Sequence, residues 1–387
     1  MKKTIPIFLA FFVMGFGDAV GTLVGFVTRE YDLTPSLAGL LPFFGLLAFG
    51  LFSVPIGVLS ARKGKKFVLV VFLCITLIGL IIPVISIAQY YYVLIAIFLL
   101  GLGMAGLQVA GNPAMREVSA EGNYSRNLTF AQFIKSLGTI SAPYMTPFIV
   151  VVLGLAWYNI FAAFALVVLI CLAIIIPINI PHREEQEQSS IANSFSLLKK
   201  PYVLFMVLGI FFYVGAEVGM NSWIATFLNI RFGLEIESMA TLGIGFFLTA
   251  LVIGRLIGAA VLHYVSPVKF FIATSALGLV GMAGMFVPIQ SVVIVSLFLC
   301  GLGFGNIFPL IFSILIDSMP ERSSELSGLL VMAIVGGAVI PAIMGVIADW
   351  SIQLSFLLPL AIFVYLLVLA IYTFVSVSSR IAPEKTS

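Results

Sequence analysis

Two acidic side chains lie deep within apolar stretches of this sequence, where a carboxyl group is expensive to place. Asp18 falls in the first apolar run and Glu217 in the seventh. Along a helix, both lie roughly 20 Å from the start of their runs, just past the middle of a bilayer. A charge there costs on the order of 3 kcal/mol unless it is paired or protonated. We therefore interpret both as candidate proton-coupling residues; the alternative is a structural carboxyl hydrogen-bonded to a neighbouring helix.

Amide side chains in other apolar runs could bind a substrate with many hydroxyl groups. Gln108 and Asn112 are four residues apart and share one helix face. Asn221 lies one turn after Glu217, with Trp223 close by. Amides also bond membrane helices to each other, so a structural role stays open for them. The candidate substrate-binding residues are Gln108, Asn112, Gln132, Lys135, Asn221, Trp223 and Asn306.

Lys135 is the basic candidate, and it follows Gln132 by three residues, so the two share a face. We expect it either to form an ion pair with Asp18 or to contact an anionic substrate. The alternative is a lysine whose ammonium group extends to the lipid headgroups.

These residues are carried by a chain whose composition is that of a membrane protein. Of its 387 residues 61% are hydrophobic and 9% charged, and the mean hydropathy is +1.21. A soluble protein carries about 25% charged residues. The net charge of +3 comes from loops and gives no reason to expect a nucleic-acid partner. The apolar runs predict twelve spanning helices, near residues 5–28, 37–60, 67–89, 91–115, 127–153, 156–179, 202–229, 238–262, 267–288, 291–316, 322–348 and 351–378.

The ends and loops of the chain indicate its orientation. The start, MKKTIP, has the look of a signal peptide, but the apolar run continues past Asp18 to Val27, so we expect a first spanning helix. Most of the 19 lysines and arginines fall on loops of one side, which places both termini in the cytoplasm. Three cysteines lie in separate apolar runs, so neither a disulfide framework nor a metal cluster is expected.

An internal repeat divides the chain into two halves. We predict a six-helix bundle over 1–180, a cytoplasmic linker over 181–201 and a second six-helix bundle over 202–387. An offset of 200 residues aligns Phe11, Phe12 and Gly15 with Phe211, Phe212 and Gly215, Gly101–Gly103 with Gly301–Gly303, and Glu117 and Glu121 with Asp317 and Glu321. The all-α fold expected is that of the major facilitator transporters, whose substrate sits near the midplane between two parallel halves.

Several motifs resemble that superfamily. The loop GVLSARKGKK at 57–66 resembles the signature G-x-x-x-D-R-x-G-R-R after helix 2, so Gly57, Arg62 and Gly64 are candidate gating residues; Ala61 stands in place of the aspartate. A closer resemblance is to the fucose/glucose–galactose permeases, which are bacterial proton:sugar symporters. It is carried by LQVAGNP at 107–113, RNLTFAQFIKSLGTISAP at 126–143, FFYVGAEVGMNSW at 211–223, GRLIGAAVLHYVSP at 254–267, IFPLIFSILID at 307–317 and SGLLVMAIVGGAVIPAIMGVIAD at 327–349.

The departures from this pattern define the open questions. The permeases carry a proton-coupling aspartate where this chain has Gly21, and Asp18 lies one turn earlier. Gln132 keeps the family's sugar-contacting glutamine, whereas Lys135 replaces its partner asparagine. The fucose members have an acidic residue at the position of Gln108, whereas the glucose–galactose members have a glutamine there, as this chain does. The presence of Lys135 predicts either an ion pair that holds Asp18 in place or an acidic substrate such as a uronate.

The resemblance implies a monomeric, multi-pass secondary transporter of the bacterial inner membrane. It would take up a monosaccharide with protons by alternating access, in contact with the lipid bilayer and without a cofactor; Na⁺ is the alternative coupling ion. The rival interpretations are a carrier for an acidic sugar or organic anion, an efflux transporter of the same fold, and a membrane sensor. We expect no enzyme, because no metal-ligand spacing and no nucleophile–base pair occurs in the sequence.

Overall fold

All regular structure in the described part of the chain is helical. The computed structural model describes residues 4–18, 20–180, 189–235 and 241–381. Its helices are α1 Ile5–Asp18, α2 Val20–Glu30, α3 Pro35–Ala38, α4 Leu40–Lys63, α5 Lys65–Ile85, α6 Tyr90–Val118, α7 Tyr124–Pro147, α8 Asn159–Ile175, α9 Ile191–Ser196, α10 Pro201–Phe232, α11 Thr241–Val261, α12 Pro267–Gly284, α13 Gln290–Ser318, α14 Ser323–Met332, α15 Gly336–Ala348, α16 Ile352–Ser355 and α17 Leu357–Ile381. A π-helical turn at Phe148–Val152 extends α7.

The helices confirm an all-helical chain built for a membrane. Among the described residues, nine helices are long and apolar enough to cross a bilayer, and two shorter apolar helices accompany them at Ile5–Gly17 and Asn159–Ile175. The count of twelve spans stays a prediction. One predicted run, 322–348, is divided into α14, a 3₁₀ turn at Ala333–Val335 and α15. Gly336 and Gly337 directly follow this turn, and paired small residues are a common position for a kink in a helix.

The chain forms two compact units. The first contains Met1–Lys200 and Ile316–Ile334, and the second contains Pro201–Leu315 and Val335–Ser387. The short segment Ile316–Ile334 belongs with the first unit because α14 packs against α4 and α6. The division at a 181–201 linker stays a prediction, and residues 181–188 of that linker lie outside the described residues.

Each unit has one central helix whose glycines admit its neighbours. In the first unit, a side chain at Gly101 of α6 would collide with the carbonyl oxygen of Gly45 on α4. In the second unit, a side chain at Gly301 of α13 would collide with the carbonyl oxygen of Phe247 on α11. The aligned glycines of the 200-residue repeat therefore make equivalent contacts. Small residues permit such approaches, on which helix association in lipid depends.

Helices α1 and α7 also meet backbone to backbone. A side chain at Gly138 would collide with the carbonyl oxygen of Phe12, and one at Gly15 would lie 2.5 Å from the backbone nitrogen of Thr139. This contact sets the position of the α7 turn that carries Lys135.

Substitution of Gly138 by alanine should destabilise the protein, because the methyl group has no space beside Phe12. We expect a loss of about 1–3 kcal/mol, the usual effect of an added methylene in a packed core. The measurement is thermal unfolding of the purified protein in detergent. Gly25→Ala is the matched control, since a methyl group there meets nothing within 4 Å; equal melting temperatures for the two variants would refute the prediction.

Candidate functional site

The first unit buries three amide side chains, and in two of them atoms lack a hydrogen-bond partner among the described residues. Gln108 and Asn112 of α6 are 2% and 0% exposed, and Gln132 of α7 is 3% exposed. Three amide atoms have no hydrogen-bond partner among the described residues: Oδ1 and Nδ2 of Asn112 and Nε2 of Gln132. A buried polar group left unsatisfied costs about 1–3 kcal/mol. These amides can therefore donate to and accept from a polar ligand.

Hydroxyl groups bind the backbone carbonyl oxygens of two of these residues. The Tyr124 hydroxyl donates to the Asn112 carbonyl oxygen at 3.1 Å, and the Ser136 hydroxyl donates to the Gln132 carbonyl oxygen at 2.9 Å. The side-chain amides are thus presented from fixed positions on α6 and α7. Such preorganisation favours binding, because less freedom is lost when a ligand arrives.

Lys135 lies on α7, half-buried, one turn after Gln132. Its carbonyl oxygen accepts a hydrogen bond from Thr139 at 3.3 Å. Asp18 is the last residue of α1, and its side chain lies outside the described residues. The predicted ion pair between the two therefore stays a prediction.

The second unit contains an ion pair within its apolar helices. Arg255 of α11 places Nη2 at 3.6 Å from Oε1 of Glu217 on α10, and the two side chains are 12% and 24% exposed. Arg255 Nε also donates to the Gly305 carbonyl oxygen of α13 at 3.2 Å. The arginine therefore joins three helices and supplies the counter-charge that makes a carboxylate tolerable at this position.

Tyr213 lies one turn before Glu217 on α10 and is 1% exposed. Its hydroxyl has no hydrogen-bond partner among the described residues. A phenol can donate to a carboxylate and accept from a guanidinium, so this hydroxyl is a further polar group available near the ion pair.

The sequence analysis assigns no function to Arg255. The sequence does contain one indication of a function, because the arginine lies within the apolar run TLGIGFFLTALVIGRLIGAAV. An intramembrane cation is by default a candidate functional residue whose partner should be sought. Which carboxylate it meets depends on how α10, α11 and α13 pack, and no local pattern contains that information.

Two of the remaining candidates of the second unit contact neighbouring helices. Trp223 Nε1 donates to the Pro341 carbonyl oxygen of α15 at 3.2 Å. Asn306 is 2% exposed, and its Nδ2 donates to the Gly254 carbonyl oxygen of α11 at 2.8 Å. The third candidate, Asn221, is exposed. The role of all three in substrate binding stays a prediction.

The three candidate gating residues lie around the α4–α5 junction. A side chain at Gly57 would lie 2.7 Å from the Ser324 carbonyl oxygen of α14. Arg62 donates twice to the Ser189 carbonyl oxygen, from Nε at 2.9 Å and Nη2 at 2.6 Å. Gly64, with φ of 89°, is the single residue between the two helices, and this positive φ favours glycine. In the structure, Gly57 permits close packing against α14, Arg62 binds the backbone at Ser189, and Gly64 forms the turn between α4 and α5. A gating role for these residues stays a prediction.

The model of the Major Facilitator Superfamily matches residues 7–333. The glucose/galactose transporter of Brucella abortus (strain 2308) is 30% identical over 381 residues, which cover 92% of this chain and 90% of the relative. The L-fucose-proton symporter of Escherichia coli (strain K12) is 25% identical over 361 residues, covering 83% and 81%.

Solved structures share the fold. A crystal structure of the Escherichia coli fucose:proton symporter has a TM-score of 0.84 at 20% identity and covers 96% of this chain and 98% of that chain. The human organic anion transporter MFSD10 has a TM-score of 0.76 at 13% identity, covering 95% and 99%.

Removal of Arg255 alone should destabilise the protein more than removal of the whole ion pair. Arg255→Met leaves the Glu217 carboxylate without its cation, and we expect a loss of up to about 3 kcal/mol. Glu217→Gln combined with Arg255→Met should restore most of it, since no charge is then left unpaired. Thermal unfolding of the three variants measures the difference. Lys269→Met, which removes an exposed cation of the same unit, is the control; a double variant as unstable as Arg255→Met would contradict the expectation.

Proposed function

The chain belongs to the major facilitator superfamily and is a transporter rather than an enzyme, and on this premise we propose that it takes up a monosaccharide together with protons. One structural observation supports the sugar most directly: the first unit buries both amide atoms of Asn112 and the amide nitrogen of Gln132 without a hydrogen-bond partner among the described residues. Relatives across nine-tenths of the chain are named for glucose and galactose, and others for fucose and protons.

The amides suit a neutral, hydroxyl-rich substrate. Each amide offers two donors and an acceptor, and a sugar hydroxyl offers one donor and two acceptors. A bound hydroxyl can therefore satisfy groups that are otherwise buried and unpaired, which makes binding selective for molecules that carry hydroxyls at matching positions.

We assign proton coupling to Asp18 and Glu217. Protonation of Asp18 would release Lys135, and protonation of Glu217 would release Arg255, which lies 3.6 Å away. Each event exchanges a bound counter-charge for a bound proton, so the free energy of conformational change depends on protonation. Coupled uptake follows if the sugar-loaded carrier reorients only when it is protonated, and the empty carrier returns after it has released the proton into the cytoplasm. H⁺ is the proposed coupling ion, with Na⁺ as the alternative; no cofactor takes part.

The finer architecture belongs to the same proposal. We propose twelve spanning helices in a monomer, with both termini in the cytoplasm of a bacterium and the chain in its inner membrane. The excess of lysine and arginine on loops of one side supports this orientation.

A second candidate function is transport of an acidic sugar or organic anion, either inward or as efflux. Lys135 favours it, because a cation one turn from Gln132 could bind a carboxylate. The two functions differ in the charge of the substrate, which uptake measurements separate directly.

Proteoliposomes with an imposed inward proton gradient should accumulate labelled neutral hexoses. The panel consists of neutral hexoses, deoxyhexoses and hexuronates, and collapse of the gradient with a protonophore is the control for coupling. Accumulation of hexuronates alone would replace the sugar proposal by the anion carrier. Absence of uptake across the panel would favour export or another substrate class.

Asp18→Asn should abolish accumulation but leave exchange of labelled for unlabelled sugar across the membrane. The reason is that an amide imitates the protonated carboxyl and cannot release a proton. Counterflow and gradient-driven uptake, measured on the same vesicles, separate binding from coupling. Asp32→Asn is the matched control, because Asp32 is an exposed loop residue of the same unit. Undiminished accumulation by Asp18→Asn would exclude Asp18 as the coupling residue.

A further inference from the structure

A cavity of about 400 Å³ lies where α4 ends and α5 begins. Its walls are of two kinds, since lysines line one part and apolar side chains line the other. The lining residues that matter here are Lys63, Lys65, Lys66, Phe67, Val70 and Ile180. The transport proposal uses none of these side chains.

Two of the three lysines form no ion pair with a carboxylate of the described residues. Lys65 is buried and pairs with Glu117 of α6, with Nζ 2.6 Å from Oε1. Around Lys63 and Lys66, by contrast, no carboxylate oxygen of the described residues lies within 4.0 Å. Ala61, which is 6% exposed, stands where the resembled signature has an aspartate, so the loop 57–66 contains no acid of its own. Within the described part of the chain, the lining of the cavity therefore carries an excess of positive charge.

The backbone adds to this charge. Helix α5 begins at Lys65 directly after Gly64, with no side-chain cap and no acidic residue in its first turn. The first N–H groups of the helix thus lack side-chain acceptors, and the helix dipole places partial positive charge at this end. Unpaired lysines beside an uncapped helix start form a cradle for a phosphate group.

The apolar wall indicates what the phosphate is attached to. Phe67 is 47% exposed, and it is followed on the same face by Val70 of α5. Helix α5 is a candidate membrane span with a mean hydropathy of 3.2, so its apolar surface continues away from the lysines. A ligand that fits has an anionic head and a hydrocarbon tail. A free phosphate would leave this apolar wall without a partner.

We propose that this cavity binds the phosphate group of an anionic phospholipid, with Lys63 and Lys66 holding the head and Phe67 and Val70 contacting the acyl chain. By the proposed orientation, the site faces the cytoplasmic leaflet, where anionic lipids attract basic segments. The proposal does not depend on the identity of the transported substrate.

The test compares lipids on the purified full-length chain. Phosphatidylglycerol or phosphatidylcholine is added in detergent, and binding is followed by native mass spectrometry and by the melting temperature. Lys63→Gln with Lys66→Gln should bind phosphatidylglycerol about 10-fold more weakly than the wild type. Lys199→Gln with Lys269→Gln removes two exposed cations elsewhere and should leave binding within about twofold, whereas Lys63→Arg with Lys66→Arg should retain it.

Three outcomes would overturn the proposal. The first is equal phosphatidylglycerol binding by the wild type and the Gln variant. The second is equal binding of phosphatidylcholine and phosphatidylglycerol by the wild type. The third is an equal melting shift with millimolar inorganic phosphate alone, which would make this a free-anion site. Melting of the Gln variant without lipid verifies that it is folded, and no outcome requires transport activity.

Discussion

Backbone contact at glycines is the constraint on which the positions of the polar side chains depend. Lipid gives helices no hydrophobic reason to associate, so close packing must hold them. Gly305 of α13 lies so near α11 that a side chain there would be 3.2 Å from the Arg255 backbone nitrogen. Arg255 can donate to the Gly305 carbonyl oxygen only because of this approach. Gly15 plays the same part in the first unit, beside Thr139 and the turn that carries Lys135.

Both units bury polar atoms that have no hydrogen-bond partner among the described residues. In the first unit these include both amide atoms of Asn112 and the amide nitrogen of Gln132, and in the second unit they include Asn306 Oδ1 and the Tyr213 hydroxyl. Unsatisfied groups are costly to keep unless something else binds them. The second unit differs in that its buried carboxylate, Glu217, is paired with Arg255. We therefore expect a hydroxyl-rich substrate to find donors and acceptors in both units.

The sequence predicted what local pattern determines and missed what packing determines. Apolar runs located the helices, because burial in lipid acts on every residue of a span. The 200-residue repeat located Gly101 and Gly301, which make equivalent contacts. The Glu217–Arg255 pair could not be predicted, since two helices distant in sequence must first be placed side by side. The 3₁₀ turn at Ala333–Val335 inside the predicted run 322–348 was not expected either, because the residues around it are apolar and continue the run without interruption.

Charge balance links coupling to specificity. The Glu217–Arg255 pair is neutral as a unit, so it places no demand on the charge of the substrate. If Lys135 forms the predicted ion pair with Asp18, a neutral sugar can bind without adding a charge to the site. If Lys135 contacts the substrate instead, an acidic sugar supplies the carboxylate that it binds. Neutral and acidic substrates therefore correspond to the two predicted roles of one ammonium group, and an Asp18–Lys135 pair would disfavour an anionic sugar.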